Sequence, residues 1–441
     1  MTIPGGAANI SRRFPGSLGC APRTASHETR AALARPIAMS MLARLKCVDE
    51  IDLAGQRVLV RADLDVPGEG EPLPNEVDAR IERVLPTLQQ VMQAGAKLVV
   101  AAHRGCPKGR VVPAMGLEPV GARLAEISGW EVLLPDDSAG DAARKAVSDL
   151  HAGQMVLLEN LRFAAGELSN DEGFARRLAR LAEIYVNDAL AASSRAHASV
   201  CALPPLMKQR SIGLRMKADL AALDRLANPE LAMAALIGGT RLTERISLLR
   251  ALSGPGRTFC MGGTLGCTLL AAGGVDMGAT RIDNGDLAHA RTILGQMRES
   301  GAKILFPTDV VATRDPKSAD SRVVAVTHIA KDEHAVDVGP ETLARFQEAV
   351  RGSATALWVG AMGLAGHPQH GAGTQQLARI LAESRAIGVA LGQAAASAIR
   401  QLDPTLAERI VPFADSGGAA LELVEGRKLP GLEVLKTAEE T

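Results

Sequence analysis

The chain has 441 residues, too many for one compact core, which points to two or three domains. Its 49 Lys and Arg balance its 49 Asp and Glu; a neutral chain with no basic run interleaved with aromatics argues against a nucleic-acid partner. Hydrophobic residues make up 47% of the chain but aromatic residues only 2%, so the core must be aliphatic, as suits helices alternating with parallel strands.

Six cysteines (Cys20, Cys47, Cys106, Cys201, Cys260 and Cys267) form neither a disulfide-like framework nor a C-x-x-C metal pattern, and a cytoplasmic location is expected. Residues 1–40 are rich in Gly, Pro, Ser, Ala and Arg, and Glu28 is the only acid before Asp49. No apolar run there is long enough for a signal sequence or a membrane span. Such a leader fits an organellar transit peptide or an extension upstream of a start at Met39 or Met41. Gly and Pro fragment any amphipathic helix, which favours a disordered or spurious extension.

In chain order, RVLVRADLDV (57–66) reads as a strand running into polar residues, Asp78–Gln93 as a helix and KLVVAAH (97–103) as a strand. Leu117–Ser128 reads as a helix and WEVLL (130–134) as a strand. Met155–Leu158 and Ile184–Val186 are apolar runs short enough for buried parallel strands, and Asp171–Glu183 between them places Phe174, Leu178 and Leu181 at helical spacing. The second half repeats the alternation: strands at 231–239, 258–263, 303–311, 355–363 and 386–393, with helices at Arg241–Leu252, Asp286–Ser300, Pro340–Val350, Gly373–Ser384 and Ala394–Leu402. The fold class is therefore α/β: two doubly wound Rossmann-like parallel-sheet domains, joined near Ser211–Asp224.

In open parallel sheets, ligands bind beyond the carboxyl ends of the strands. In the first half those positions carry charge: Arg61, Asp63, Asp65, Arg80, His103, Arg162, Arg195 and His197, with Asn160, Asn187 and Asp188 beside them. Guanidinium forks bind phosphate or carboxylate in a bidentate way, so this set suits an anion; a solvated basic rim would look the same. In the second half the strand ends carry glycine pairs, Gly238–Gly239 and Gly262–Gly263, and Gly417–Gly418 follows later. Glycine lets backbone N–H groups approach a phosphate, though tight strand-to-helix turns also explain such pairs. None is a Walker A or G-x-G-x-x-G motif.

RVLVRADLDVP, DARI, AHRGCPKG, LLENLRF, YVNDALAASSRAHAS, LIGGTRLTERI, LFPTDVV, LWVGAMG and SGGAALELVEGRKLPGL stand in an order and at intervals that resemble the phosphoglycerate kinase family. The resemblance covers about Leu45 to Leu435. It implies two domains with a hinge, an acid-substrate domain over 41–210, a nucleotide-type domain over 211–427, and a tail at about 428–441 that packs back on the first. The activity it implies is reversible phosphoryl transfer between Mg-ATP and the carboxylate of 3-phosphoglycerate, a step of glycolysis and carbon fixation. It also implies the substrate-binding residues Arg61, Asp63, Asp65, His103, Arg162, Arg195 and His197, and Arg80, Arg241 and Arg245 as catalytic cations. The nucleotide would meet Gly238, Gly239, Gly262, Gly263, Gly360, Gly363, Gly392 and Gln393. ATP or ADP with Mg²⁺ is the implied cofactor set of an active enzyme, with no metal ligand assigned in the chain. The expected partner is a small phosphorylated acid, with a nucleotide, no nucleic acid, no membrane, and a monomeric state.

Several positions depart from the family's pattern. The asparagine of D-x-N is Asp65, the arginine of H-L-G-R-P is Cys106, with Arg104 two residues away, and the first histidine of H-R-A-H is Ser194. In G-G-A-K-x-x-D-K two lysines become Arg241 and Arg245. In W-N-G-P-M-G-x-F-E the asparagine, proline and glutamate become Val359, Ala361 and Gly366. G-G-G-D-T becomes ALGQA, with Gln393 for the aspartate and Ala394 for the threonine, and T-G-G-G-A becomes DSGGA, which introduces Asp415. A neutral amide is a poor substitute for a carboxylate at Mg²⁺. Beside the enzyme, these losses set an alternative: a catalytically impaired descendant acting as a binding or regulatory protein.

Overall fold

A computed structural model of the protein describes residues 42, 44–66, 74–151, 153–228, 230–282, 284–364, 367, 370–413 and 417–436. The expected leader, Gly366, Asp415 and residues 437–441 lie outside them.

The first sheet has six parallel strands, β1 (Arg57–Arg61), β2 (Lys97–Ala101), β3 (Glu131–Leu133), β4 (Gln154–Leu157), β5 (Ile184–Asn187) and β6 (Gln209–Ile212), in the order β3-β4-β2-β1-β5-β6. Val58, Leu59 and Val60 are fully buried, as a strand covered by helices on both faces requires. The strand β1 has β2 on one side and β5 on the other. The order reverses there, and the crevice this leaves lies beyond the carboxyl end of β1. The helix Pro74–Gln93 covers the sheet with Ile81, Val84, Leu88 and Val91, all buried and at helical spacing.

From β6 the chain enters the helix Leu214–Ala227, whose Met216, Leu220, Leu223 and Leu226 are buried, and which leads to the second sheet. Asp188, just past β5, accepts the Met216 N–H at 2.9 Å and so anchors the start of this helix. Gly213 makes the approach possible, because a Cβ there would lie 2.2 Å from Asp188 Oδ1. Burial pushes the Asp188 carboxyl up to about 6, against hydrogen bonds from Thr87 and the Met216 N–H.

The second sheet contains β7 (Met233–Ile237), β8 (Arg257–Met261), β9 (Lys303–Leu305), β13 (Thr355–Val359), β14 (Ile387–Leu391) and β15 (Ile410–Phe413), parallel, in the order β15-β14-β13-β7-β8-β9. Its order reverses between β13 and β7. A smaller antiparallel sheet, β11-β10-β12, adds β10 (Asp309–Thr313), β11 (Arg322–Ala325) and β12 (His334–Val338).

The α/β class and the two parallel sheets are as expected, and most boundaries fall within a few residues. The expected single strand at 303–311 is a correction: it is β9 and β10, in different sheets. Pro307 cannot donate to a ladder, and the Thr308 and Asp309 N–H groups both turn to Thr342 Oγ1, at 3.0 and 3.2 Å. The expected helix at Arg241–Leu252 begins only at Ile246, after turns. Near the carboxyl terminus the helix Gly417–Val424 and the turn Pro430–Glu433 lie against the turn Ala191–Ser194, and a Cβ on Gly431 would stand 2.8 Å from Ser193 Cα. Among the described residues, no helix is long and apolar enough to cross a membrane.

Candidate active site

At the carboxyl end of the first sheet a buried polar network forms around Arg61, the last residue of β1. Its Nη1 donates to the Ala62 carbonyl at 2.6 Å and its Nε to Ser199 Oγ at 3.1 Å, while its Nη2 lies 2.8 Å from His103 Nδ1. A guanidinium only donates, so Nδ1 of His103 accepts and its proton sits on Nε2, facing Asp65 Oδ2 at 3.4 Å. Burial, with the fields of Arg61 and Arg162, lowers the His103 pKa despite Asp65. Burial works against the Asp65 carboxylate too. Hydrogen bonds from His103 and the Gly105 N–H, the latter at 2.7 Å, and the Arg162 charge nevertheless hold it at about 2.

Arg162 sits in the turn Leu161–Phe163 after β4, fixed by Asn160, whose side chain accepts the Arg162 N–H at 3.0 Å and donates to the carbonyls of Arg104 and Met115. The Arg162 Nη1 donates to the Gly105 carbonyl at 2.7 Å, and its Nε is buried without a hydrogen-bond partner. Arg195 is exposed, and its field reaches both Arg162 and His197. Burial, reinforced by Arg162, Arg61 and Arg195, pushes His197 down to about 4. Glu167 Oε1 lies 4.0 Å from His197 Nδ1, and with Asp65 it offsets part of the charge of the three guanidiniums, a set that suits an anion.

Asp63 and Arg80 form a separate pair, Oδ2 to Nη1 at 3.7 Å, and with Arg83, Asp188, Arg215 and Asp219 they face one small cavity. Arg104, the cation nearest to Cys106 in sequence, is buried and donates to the Gly116 carbonyl at 3.3 Å. Ser194 turns its hydroxyl onto the Ala191 carbonyl of its own turn. Sequence reasoning missed Glu167. Its carboxylate is 1% exposed and accepts from the Ser199 N–H at 2.8 Å and the Ser199 hydroxyl at 2.6 Å, so it holds the serine that holds Arg61. In GELSNDE it looks like one more solvated acid, and no local pattern distinguishes it.

In the second sheet the glycines pack backbone against backbone. A Cβ at Gly238 would lie 2.1 Å from the Ala361 carbonyl oxygen, and one at Gly360 would lie 2.5 Å from the Gly238 oxygen. Gly262 has Met362 Sδ 2.2 Å from where its Cβ would be, and Gly363 has the Asp337 carboxyl at 2.4 Å. The N–H groups of Gly238, Gly239, Gly262 and Gly263 all donate to carbonyls, those of Val359, Ala361, Ile237 and Met362. These glycines bring backbone against backbone at the strand ends, and their donors are already used. Gly392, at φ +90°, turns β14 into the helix Gln393–Ile399, and Gln393 is exposed at its start.

A cleft of about 560 Å³ lies beside these strand ends, lined by Thr240, Arg241, Thr264, Thr280, Arg281, Ile282, Pro316, His334, Ala335, Val336 and Leu364. Arg241 and Arg281 supply its charge, with His334 beside them. Arg241 is largely exposed and pairs with Glu244 at 3.1 Å. Arg245 is not part of that lining; its Nη1 donates to the Glu244 carbonyl at 3.3 Å. Most of the wall was not legible in the sequence, because it comes from loops and from the small antiparallel sheet. Among the described residues there is no group of three or more His, Cys, Asp or Glu side chains that could hold a metal ion.

Fold and site together define an α/β protein with two parallel sheets, a cationic basin at the switch point of one and a polar cleft beside that of the other. The family model for phosphoglycerate kinase matches residues 48–427, and the chain belongs to that family. It is 37% identical to the phosphoglycerate kinase of Anaeromyxobacter sp. (strain Fw109-5), over 89% of this chain and 99% of that one, and 36% identical to that of Bdellovibrio bacteriovorus, over 89% and 98%. The structure of phosphoglycerate kinase from Coxiella burnetii is 28% identical, with a TM-score of 0.78, covering 89% of this chain and 98% of that one. That of Pyrococcus horikoshii OT3, 22% identical with a TM-score of 0.74, shares the fold.

Proposed function

We propose that the chain is a phosphotransferase of the phosphoglycerate kinase type, moving a phosphoryl group reversibly between ATP and the carboxylate of 3-phosphoglycerate. The observation that carries this reading is the gathering of Arg61, Arg162 and Arg195 with His103 and His197 at the switch point of the first sheet. It suits an acid bearing both a phosphate and a carboxylate, and the relatives supply the reaction. Residues 41–210 are taken as the acid-substrate domain, 211–427 as the nucleotide-type domain, and 428–441 as the returning tail. The reading is of a cytoplasmic monomer that needs neither nucleic acid nor membrane.

Phosphoryl transfer passes through a charge-spread transition state, so the protein contributes mainly positioning and fixed positive charge. Arg61, His103 and Arg162 orient the acid, with Asp65 fixing the His103 tautomer. Arg80, tethered by Asp63, is assigned to charge developing on the reacting carboxylate, and Arg241 and Arg245 to the nucleotide phosphates. Closing of the two domains brings donor and acceptor together and excludes water. Mg²⁺ neutralises phosphate charge as part of the nucleotide substrate. The chain offers it little: Gln393 supplies a neutral amide where the family has a carboxylate, and no step here is routed through a protein-held ion.

The test is a coupled assay of purified protein with Mg-ATP and 3-phosphoglycerate, run beside thermal melts with the acid and with Mg-ADP. Turnover is expected, and Arg80→Ala should lower it by about 10³ or more. A ligand at one hundred times its Kd adds about 2.7 kcal/mol to the native state, so both melts should shift. A melt that shifts with the acid but not with Mg-ADP, without turnover, would replace the enzyme by the binding descendant, for which the relatives give no support.

A further inference from the structure

Cys106 is exposed, on the loop that leaves β2 for the acid basin, whereas the other cysteines of the described residues, Cys47, Cys201, Cys260 and Cys267, are buried. Burial pushes the Cys47 and Cys201 thiols up to about 11 and Cys267 up to about 12, which keeps them inert. Arg162 Nη1 donates to Cys106 Sγ at 3.6 Å. The same arginine is only 9% exposed, and its Nε is buried without a partner. A second observation marks the place as one that suits anions: Arg61 and Arg195 stand close enough to act on Arg162, and all three add to burial in lowering the pKa of His197. Reactive thiols sit in such accessible, electropositive surroundings.

We infer that Cys106 is a thiol-modification site that gates the acid basin, and that its reagent is a low-molecular-weight disulfide carrying carboxylates. The Cys106 thiolate attacks one sulfur of the disulfide. A bond from Sγ to that sulfur forms as the incoming S–S bond breaks, and the departing thiolate takes up the proton Cys106 had released, so no further oxidant is needed. The attached group places its carboxylates among the guanidiniums that the substrate needs, and a reducing thiol reverses the exchange. The gating rests on the acid-site reading above; the position of the modification does not.

The experiment treats the full-length reduced protein with oxidised glutathione and, separately, with cystamine, which is cationic. Adducts are located by mass, and 3-phosphoglycerate binding is measured by calorimetry before and after. Among the cysteines of the described residues one adduct is expected, on Cys106, formed faster with glutathione than with cystamine, by a ratio that shrinks with added salt. It should weaken acid binding by about tenfold or more, as losing a charge-assisted hydrogen bond does, and dithiothreitol should restore it. Cys106→Ser should form no adduct on the described residues and keep its own untreated affinity after treatment. An adduct on Cys47, Cys201, Cys260 or Cys267 instead, no adduct on Cys106, equal rates for the two disulfides, or undiminished acid binding by the Cys106 adduct would each overturn the inference. Reduced protein that does not bind the acid would remove the functional reading and the gating together, while the mass of the adduct still reports the site.

Discussion

Glu167→Gln tests whether the acid basin is held by a buried relay. The carboxylate accepts two hydrogen bonds from Ser199, at 2.8 and 2.6 Å, and Ser199 Oγ accepts from Arg61 Nε at 3.1 Å. Glutamine keeps the shape but turns one oxygen into an NH₂. If its amide oxygen faces the Ser199 N–H, the NH₂ meets Oγ, which then accepts twice and leaves its own proton unpaired in a buried site. A hydrogen bond to a charged group is worth about 1.5–3 kcal/mol and an unsatisfied buried donor costs about 1–3, so a loss of about 3 kcal/mol is expected. Because Arg61 loses its anchor, affinity for 3-phosphoglycerate should also fall, by about tenfold for each 1.4 kcal/mol. Urea unfolding measures the first effect and calorimetry the second. Unchanged stability would refute the hydrogen-bond reasoning. A stability loss with unchanged acid affinity would show that Glu167 supports the turn and does not position Arg61.

Three further perturbations address other parts of the molecule. Gly238→Ala puts a methyl 2.1 Å from the Ala361 oxygen and should destabilise the second sheet by about 1–3 kcal/mol or more; a melt within error of the parent would contradict the close packing of β7 and β13. His197 has a pKa of about 4 against an ordinary 6.5, so between those values the unfolded chain binds the proton and the native one does not, and stability falls as pH falls through that window. An anion that neutralises the arginines should raise this pKa, so on binding the acid near pH 5.5 the parent should take up more protons than His197→Gln does, read as a difference in the buffer dependence of the calorimetric enthalpy beyond what the ligand's own phosphate contributes. Asp188 runs the other way: its raised pKa of about 6 favours the neutral native form below the ordinary 3.8, and that advantage is lost as pH rises through 6. Asp188→Asn keeps an acceptor for the Met216 N–H and should raise stability above pH 6 by up to about 3 kcal/mol, with little effect at pH 4; equal effects at both pH values would show that the carboxyl is not titrating as argued.

The fold class was legible in the sequence, and so were the charged residues at the ends of the first sheet's strands. Apolar runs such as 57–61 and 184–187 are short-range patterns that burial on both faces of a sheet imposes, and polar residues after them mark strand ends whatever the rest of the chain does. Arg61, His103, Arg162 and His197 could be named for that reason. The edge strands β6 and β15, with the sequences QRSI and IVPF, escaped because an edge has one partner and tolerates polar residues and proline. The break between β9 and β10 escaped because it depends on Thr342, far along the chain. Tertiary structure alone decided that Glu167 and Ser199 hold Arg61, and that Asp65 fixes the tautomer of His103. It alone showed that the N–H groups of Gly238, Gly239, Gly262 and Gly263 are spent on neighbouring carbonyls. The physical reason is common to all three. A carboxylate, a tautomer or a backbone donor takes its role from whichever group lies within hydrogen-bond reach, and across a parallel sheet that group is supplied by a distant part of the chain.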